Sequence, residues 1–356
     1  MLKLKVVDLF SGCGGFSFGF QQAGFEIVLG IDNDELALKT FKLNHANSEV
    51  MNIDLSVKNN IKKIVNSLGK QNKIDVLIAG PPCQGFSLTG PRNEHDERNR
   101  LFYSVFELAQ SLEPKPLCII IENVPGLAKL YGGKAKKEVV ENFFKNGYTV
   151  NFKEIFAPDY GVPQIRKRLF FVGLLNKYGQ YEFPQPVLEQ NEYITTEQAI
   201  GDLPSLQYEF GEEVSQYIMD PKSEFQKKMR NGAKQLFNHV GTRHTEYVKS
   251  VISQVPEGGN YINLPPGVGE SRKFNEAWTR YHSQKPSKTI DTGHRNHFHY
   301  RWNRVPTVRE NARLQTFPDK FRFLGSKTQQ YRQVGNAVPP LLGYHIANKL
   351  INLLRK

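Results

Sequence analysis

Four side chains at three points of this chain could together do covalent chemistry on an electron-poor ring or carbonyl: the thiol of Cys83, the carboxyl of Glu122, and the guanidiniums of Arg166 and Arg168. A thiolate is the attacking form of cysteine, and a nearby positive charge lowers its pKa from about 8.5. A carboxyl group on the tip of a core strand is partly desolvated, which suits it to protonate a substrate. Two guanidiniums on one face can grip a carbonyl oxygen and a phosphate. Taken one at a time, each residue also has a plain structural reading: a buried cysteine, a helix cap or surface ion pair for Glu122, and a surface basic turn.

The elements that must carry these residues can be read around them. Ile74-Asp75-Val76-Leu77-Ile78-Ala79 is a buried parallel strand that ends at the Gly80-Pro81-Pro82 breaker, just before Cys83. Open α/β sheets keep their ligand crevice at such carboxyl ends. The prolines restrict the backbone before the thiol, and the polar stretch 84–99 is expected to be a loop that can close over a substrate. A helix over 100–112 follows, with Phe102, Val105, Phe106 and Ala109 at helical spacing. The apolar strand 117–121 then delivers Glu122 to the same sheet edge as Cys83. A helix over 134–146 and strands over 149–155 and 169–174 continue the alternation. If a strand takes in Arg166 and Arg168, period two points both to one side.

The start of the chain reads as a ligand pocket. A strand over 4–9 runs into Phe10-Ser11-Gly12-Cys13-Gly14-Gly15, and a helix extends to about residue 23. This strand, glycine loop and helix open a nucleotide-binding unit, but they lack the dinucleotide spacing and any Lys-Ser/Thr triphosphate ending. The next strand, 26–31, ends at Asp32-Asn33-Asp34. Asp32 is placed to hold a ribose diol, and Asp34 can cap the helix over 35–43. A third strand, 50–53, ends at Asp54-Leu55, with Asp54 suited to an adenine amino group. A glycine loop with two strand-tip carboxylates and no phosphate demand fits S-adenosylmethionine better than NAD or ATP.

Composition limits the partners. The chain has 356 residues, 39% hydrophobic and 23% charged, with no run of membrane-spanning length and no leader character, so a cytoplasmic protein is expected. Three cysteines without metal-knuckle spacing point to free thiols in a reducing compartment. The net charge of +12 is concentrated late: from residue 222 onward, 24 lysines and arginines stand against 8 acids. Mixed with aromatics and histidines around His294-Arg295-Asn296-His297, this excess fits a phosphate-binding surface, although a solvated basic face would look similar.

In family order, Asp8-Leu9-Phe10-Ser11-Gly12-Cys13-Gly14-Gly15, Gly80-Pro81-Pro82-Cys83-Gln84, Glu122-Asn123-Val124 and Gln164-Ile165-Arg166-Lys167-Arg168 resemble the cytosine-5 DNA methyltransferases, in particular the bacterial modification enzymes. Arg309 through Asp319 and Gln333 through Pro340 complete the set. The resemblance implies a mixed α/β sheet of the S-adenosylmethionine-dependent methyltransferase type with helices on both faces, plus a smaller, irregular, mostly β target-recognition domain. It puts residues 1–182 and 331–356 in a discontinuous catalytic domain, 183–305 in the recognition domain and 306–330 in a hinge. The last helix, over 341–354, would then pack back onto the N-terminal sheet.

Roles follow from the same resemblance. Cys83 would add to carbon 6 of cytosine, Glu122 would act at ring N3, Arg168 would hold O2, and Arg166 would assist near the thiol. Phe10, Gly12, Gly14, Gly15, Asp32, Asn33, Asp54, Leu55, Pro82, Leu101, Asn336 and Ala337 would line the S-adenosylmethionine site, and no metal is required. A base inside a duplex must be flipped out to reach the thiol. Gln84, Ser87, Thr89, Arg243, Arg280, Thr289, Arg295, His297 and Arg301 are the expected DNA contacts, with Thr289-Ile290 resembling the family's short recognition element. A monomer acting on double-stranded DNA, beside a nuclease of the same site, is expected, with no room before the first strand for regulatory modules. A tRNA cytosine methyltransferase on the same scaffold and a non-catalytic DNA-binding regulator are the competing readings.

Overall fold

The computed structural model describes residues 3–57, 59–69, 73–82, 101–270, 277–293 and 296–355. Its contacts divide the chain into two units: residues 1–156, 167–185 and 342–356 form the first, and 157–166 and 186–341 the second. In this division the C-terminal stretch of the first unit begins at Leu342, and residues 306–330 belong to the second unit. No helix among the described residues is long and apolar enough to cross a membrane.

The first unit is a seven-stranded mixed sheet. Strands β1 (Lys5–Leu9), β2 (Glu26–Asp32), β3 (Glu49–Asn52), β4 (Val76–Ala79), β5 (Cys118–Asn123), β6 (Tyr148–Phe156) and β7 (Lys167–Leu175) lie in the order β3-β2-β1-β4-β5-β7-β6. The first five run parallel, while β7 is antiparallel to both β5 and β6. Strand order reverses at β1, between β2 and β4, which is where a crevice opens at the carboxyl ends of a parallel sheet. Helices α1 (Gly15–Gln22), α2 (Glu35–Asn44), α3 (Asn59–Leu68), α4 (Tyr103–Ser111) and α5 (Lys134–Lys145) connect the strands.

Sequence pattern accounts for these elements. β4 and β5 are buried along their whole length, so they carry apolar runs instead of alternation. α3 buries Ile61, Ile64 and Leu68 at helical spacing and shows lysines to solvent. α2 is capped by Asp34, whose Oδ1 accepts the amides of Leu36 and Ala37 at 3.1 Å, as expected from Asp34 ahead of an apolar period. At the C-terminus, α11 (Pro340–Leu354) returns to this unit. Tyr181 donates its hydroxyl to the Ile346 carbonyl at 3.0 Å, and Gly343 lets the helix lie against Phe16, where a Cβ would come within 3.1 Å of the ring.

The second unit is irregular but, among its described residues, not mostly β. Its strands are two-residue pieces: β8 (Val214–Ser215) pairs with β9 (Leu236–Phe237), and β10 (Thr279–Arg280) with β11 (His297–Phe298). Helices α6 (Thr196–Ile200), α7 (Glu224–Arg230), α8 (Glu246–Gln254), α9 (Val308–Leu314) and α10 (Lys327–Asn336) supply more regular structure. Turn residues such as Pro256, Gly258, Gly259 and Pro265-Pro266-Gly267 keep any strand from extending. Buried polar groups hold this unit instead. In α9, Arg313 pairs with Asp319 at 2.6 Å and also with Asp202, and Glu310 takes both arms of Arg304 at 2.7 Å.

Candidate active site

Every predicted catalytic carboxylate, loop and arginine of the first unit falls at one edge of the sheet. The glycine loop leaves β1, Asp32 ends β2, Gly80 follows β4 and Glu122 nearly ends β5. Because β7 is antiparallel, its beginning, with Arg168, lies at this same edge. Cys83 itself, with Gln84, Ser87 and Thr89, lies outside the described residues, as does Arg295.

Glu122 is 9% exposed, and its Oε1 lies 2.8 Å from Arg168 Nε; Arg168 Nη1 also donates to the Lys167 carbonyl at 2.7 Å. The carboxylate sits beside the segment that leads to the thiol. A Cβ placed on Gly80 would be 3.6 Å from Glu122 Oε2, and Asn123 Nδ2 donates to the Pro81 carbonyl at 3.4 Å. An acid, a guanidinium and the backbone entering Cys83 are thus gathered by three strands.

Arg166 does not share the strand face expected of it. It precedes β7, so strand alternation does not govern it, and it belongs to the second unit. There it is 2% exposed and donates through Nη2 to the carbonyls of Gly335 at 3.0 Å and Ala337 at 3.2 Å.

The glycine loop carries strain and space together. Phe10 has φ 59 and Gly12 φ 52. The left-handed region is costly for an aromatic residue and persists only where surroundings enforce it, commonly at a ligand site. Asp32 enforces it here: its Oδ2 accepts the Gly12 amide at 2.8 Å and its Oδ1 the Asp34 amide at 2.9 Å. Burial raises the Asp32 carboxyl above its ordinary range, and these two amides oppose that rise. Among the described residues, and apart from its chain neighbours, no atom lies within 4 Å of where a Gly12 side chain would begin, which leaves room for a ligand over the loop backbone. Gly15 opens α1, Asn33 and Asp54 are exposed, Leu55 is buried under Asp54, and Leu101 is half-buried. Asp54 also caps its own turn, accepting the Ser56 amide at 2.8 Å. Pro82 and, in the second unit, Asn336 are exposed and Ala337 is half-buried. Open space over a glycine turn beside strand-tip carboxylates fits an adenosine-bearing ligand, with the chain's own charges facing amino and hydroxyl groups instead of phosphates.

Sequence reasoning missed two supports of this loop. Asp8 is buried in β1 and accepts the Ser17 hydroxyl at 2.6 Å; burial pushes its carboxyl up to about 8. A single acid inside Val6-Val7-Asp8-Leu9 was the available signal. His45, just after α2, places Nε2 3.1 Å from the Gly14 carbonyl and Nδ1 2.8 Å from Gln21 Oε1, and burial lowers its pKa to about 4. Cys13 and Cys118 are buried and not in disulfides, and burial pushes the Cys13 thiol up to about 12.

Expected DNA contacts divide by exposure. Arg243 is exposed and stacks 4.9 Å over Phe210. Arg301 is exposed, lies 5.4 Å over Tyr300, and pairs with Glu197 at 2.8 Å. Thr289 is exposed and donates to the Ile165 carbonyl at 2.5 Å. Arg280 and His297 are instead 6% and 8% exposed. Arg280 spends its donors on the carbonyls of Val255 at 2.8 Å, Ile252 at 2.5 Å and His299 at 3.2 Å and on Asn303 Oδ1 at 2.8 Å, so it caps the end of α8 and does not face a surface. Both residues stand in the β10–β11 pair, whose side chains the second unit covers on both faces.

A model of the C-5 cytosine-specific DNA methylases matches residues 4–352. The chain belongs to that family. Among its relatives, the type II methyltransferase M1.HphI of Haemophilus parahaemolyticus is 37% identical over 362 residues, covering 99% of this chain and 88% of that protein. The type II methyltransferase M.DdeI of Desulfomicrobium norvegicum is 34% identical over 376 residues, with 98% and 88% covered. Among solved structures, a prophage-encoded E. coli protein described as a DNA modification methyltransferase superposes with a TM-score of 0.81 at 28% identity, covering 99% of this chain and all of that one. The S. pombe Dnmt2 methyltransferase shares the fold, with a TM-score of 0.62 at 16% identity. This cytosine-5 methyltransferase acts on DNA and takes its methyl group from S-adenosylmethionine.

Proposed function

We propose that this cytosine-5 methyltransferase modifies one cytosine within a short duplex site and so protects host DNA from a nuclease that cuts the same site, acting as a monomer in the bacterial cytoplasm. The type II designation of the two relatives supports the protective role. The observation that carries the chemistry is the Glu122–Arg168 pair at 2.8 Å, beside the Gly80-Pro81 segment that enters Cys83.

In this reading the target base is extruded, at a cost of a few kcal/mol. The Cys83 thiolate adds to carbon 6 and forms a C–S bond. Glu122 holds a proton or hydrogen bond at N3, and Arg168 faces O2, so the electron density pushed into the ring collects at carbon 5. Bound S-adenosylmethionine supplies a methyl group on a positively charged sulfur. Loss of the carbon-5 proton then lets the C–S bond break and returns the thiolate. Phe10 would face the adenine, the 12–15 backbone the methionine portion, Asp32 and Asn33 the ribose, and Asp54 and Leu55 the adenine edge, with Pro82 and Leu101 along the rest; Asn336 and Ala337 of the second unit would also contact the cofactor. Thr289, Arg243 and Arg301 contact the duplex, as do Gln84, Ser87, Thr89 and Arg295.

Duplex DNA containing 5-fluorocytosine tests the chemistry, because fluorine at carbon 5 cannot leave as a proton. A denaturation-resistant adduct is expected with the parent and none with Cys83→Ala. An adduct that survives Cys83→Ala, or methyl label on tRNA but not on duplex DNA, would overturn the reading. Methylation-sensitive sequencing of DNA from cells expressing the protein then reads out the site.

A further inference from the structure

We propose that Arg166 is a positioning residue for the cofactor turn at 335–337, and that with Gln164 and Gln315 it ties this turn to the recognition segment around Thr289. The inference rests on the reading above in taking Asn336 as a cofactor residue. Everything that carries it lies within the second unit.

The turn at the end of α10 exposes Asn336 while its neighbours' carbonyls point inward. Those carbonyls are met by side chains. Arg166 Nη2 donates to Gly335 at 3.0 Å and to Ala337 at 3.2 Å, and Gln315 Nε2 donates to Val334 at 2.8 Å and to Ala337 at 3.2 Å. Gln164 joins the two: its Nε2 donates to Gln315 Oε1 at 2.7 Å, and its Oε1 accepts from Arg166 Nη1 at 3.4 Å. The same Oε1 accepts the Ile290 amide at 2.9 Å, while Thr289 donates to the neighbouring Ile165 carbonyl at 2.5 Å. Gln164 and Gln315 are fully buried, and Gly335 is packed so tightly on the Asp291 carbonyl that any side chain there would collide with it.

A buried carbonyl that loses its donor is costly, so the position of the 335–337 backbone depends on this cluster. The cluster touches the Ile290 backbone through the same Gln164 Oε1 that accepts from Arg166. Engagement of DNA at that stretch and binding of cofactor at Asn336 are therefore coupled, and linkage makes the coupling reciprocal. A role for Arg166 beside the thiol would instead show in the sulfur's own chemistry.

The test separates these effects with two measurements that need no methyl transfer. Binding of S-adenosylmethionine is measured calorimetrically with and without unmodified bacterial duplex DNA. Thiol addition is measured without cofactor as release of tritium from 5-tritiated cytosine in the same DNA, since addition at carbon 6 lets carbon 5 exchange its hydrogen with water. For Arg166→Met we expect cofactor affinity at least tenfold weaker and loss of its strengthening by DNA, and for Gln315→Met the same losses with tritium release within about threefold of the parent. Cofactor affinity within twofold of the parent would overturn the proposal whatever the exchange does. If both readouts fall, Gln315→Met decides: it strips the same turn and leaves the arginine in place, so weakened cofactor binding supports the proposal and parental binding overturns it. Failure of the underlying reading is distinct, because Asn336→Ala would then bind S-adenosylmethionine as the parent does.

Discussion

Glu122 Oε1 and Arg168 Nε lie 2.8 Å apart, with both side chains mostly withdrawn from water. In the proposed mechanism the acid that acts on the ring and the cation that faces its carbonyl therefore hold one another before a base arrives. Entry of cytosine exchanges this pair for two bonds to the substrate, so neither charge is left buried alone. Glu122→Gln keeps the shape and a donor but loses the charge. It is expected to bind S-adenosylmethionine within about twofold of the parent and to lose about a hundredfold or more in methylation rate, a typical general-acid contribution. Steady-state methylation with tritiated cofactor, alongside calorimetric binding, checks this, and unchanged turnover would remove Glu122 from the mechanism.

The glycine loop offers a second prediction. Gly14 has φ 93, and a Cβ there would fall 2.5 Å from His45 Nε2 and 2.8 Å from Phe41. Gly14→Ala therefore strains the backbone and pushes His45 off the Gly14 carbonyl, disturbing the turn that Gly12 shares. Cofactor affinity is expected to fall at least tenfold. Gly12→Ala meets no atom of the described residues within 4 Å, and the loss expected of it comes from its backbone conformation and from the space it takes from the ligand. Parental cofactor binding by Gly14→Ala would show that the loop tolerates what its geometry forbids.

How legible these residues were depended on how local their reasons are. Period-two and apolar runs marked β1 through β7 to within about two residues, because burial of each strand is written in its own sequence. Asp34 as a cap and Glu122 at a strand tip are local facts too. The partners of Arg166, Arg280 and Gln164 are not: Arg166 meets Gly335 after 169 positions, and Gln164 meets Gln315 after 151. Charge read as surface was the reasonable reading of Arg280 and His297 in a basic, turn-rich region. Only the folded unit shows that helix ends and irregular turns there needed buried donors, a need that arises because the unit has so few strands to satisfy its own backbone.

Arg280 and Arg243 should consequently respond in opposite ways. Arg280→Ala removes donors from three backbone carbonyls and from Asn303, and is expected to cost about 3 kcal/mol of stability with DNA affinity changed only through unfolding. Arg243→Ala, on an exposed side chain, should leave the melting temperature within about a degree and weaken DNA binding. The parent's DNA affinity should drop steeply between about 50 and 200 mM salt, and Arg243→Ala should reduce that slope by about one. Melting curves and salt-dependent binding distinguish the pair. A salt-independent affinity would refute the assignment of the C-terminal positive charge to DNA.

Histidines buried in the second unit set how its stability responds to acid. Burial, the largest influence, lowers His239 to about 4 and His299 to about 3. His299 is kept neutral by use: its Nδ1 accepts the amides of Arg301 at 3.0 Å and Trp302 at 3.2 Å. In the unfolded chain both histidines take protons near 6.5. Below that pH the unfolded state binds up to two more protons than the folded state. Stability contributed by the neutral rings is thus complete above about pH 6.5 and is lost as pH falls toward 4, at about 1.4 kcal/mol per pH unit for each ring. Glu310 responds lower down: burial raises it, but the Arg304 pair outweighs burial and holds it below its ordinary range, so its contribution is present above about pH 4.5 and is lost as pH falls further. Urea unfolding of the second unit, followed between pH 7.5 and 4.5 through the buried Trp278, should show a midpoint that is flat above 6.5 and declines below it. His299→Asn, which keeps an acceptor for the two amides but cannot titrate, should lower stability at pH 7.5 and roughly halve the decline, whereas an unchanged slope would mean that these rings are already charged in the fold.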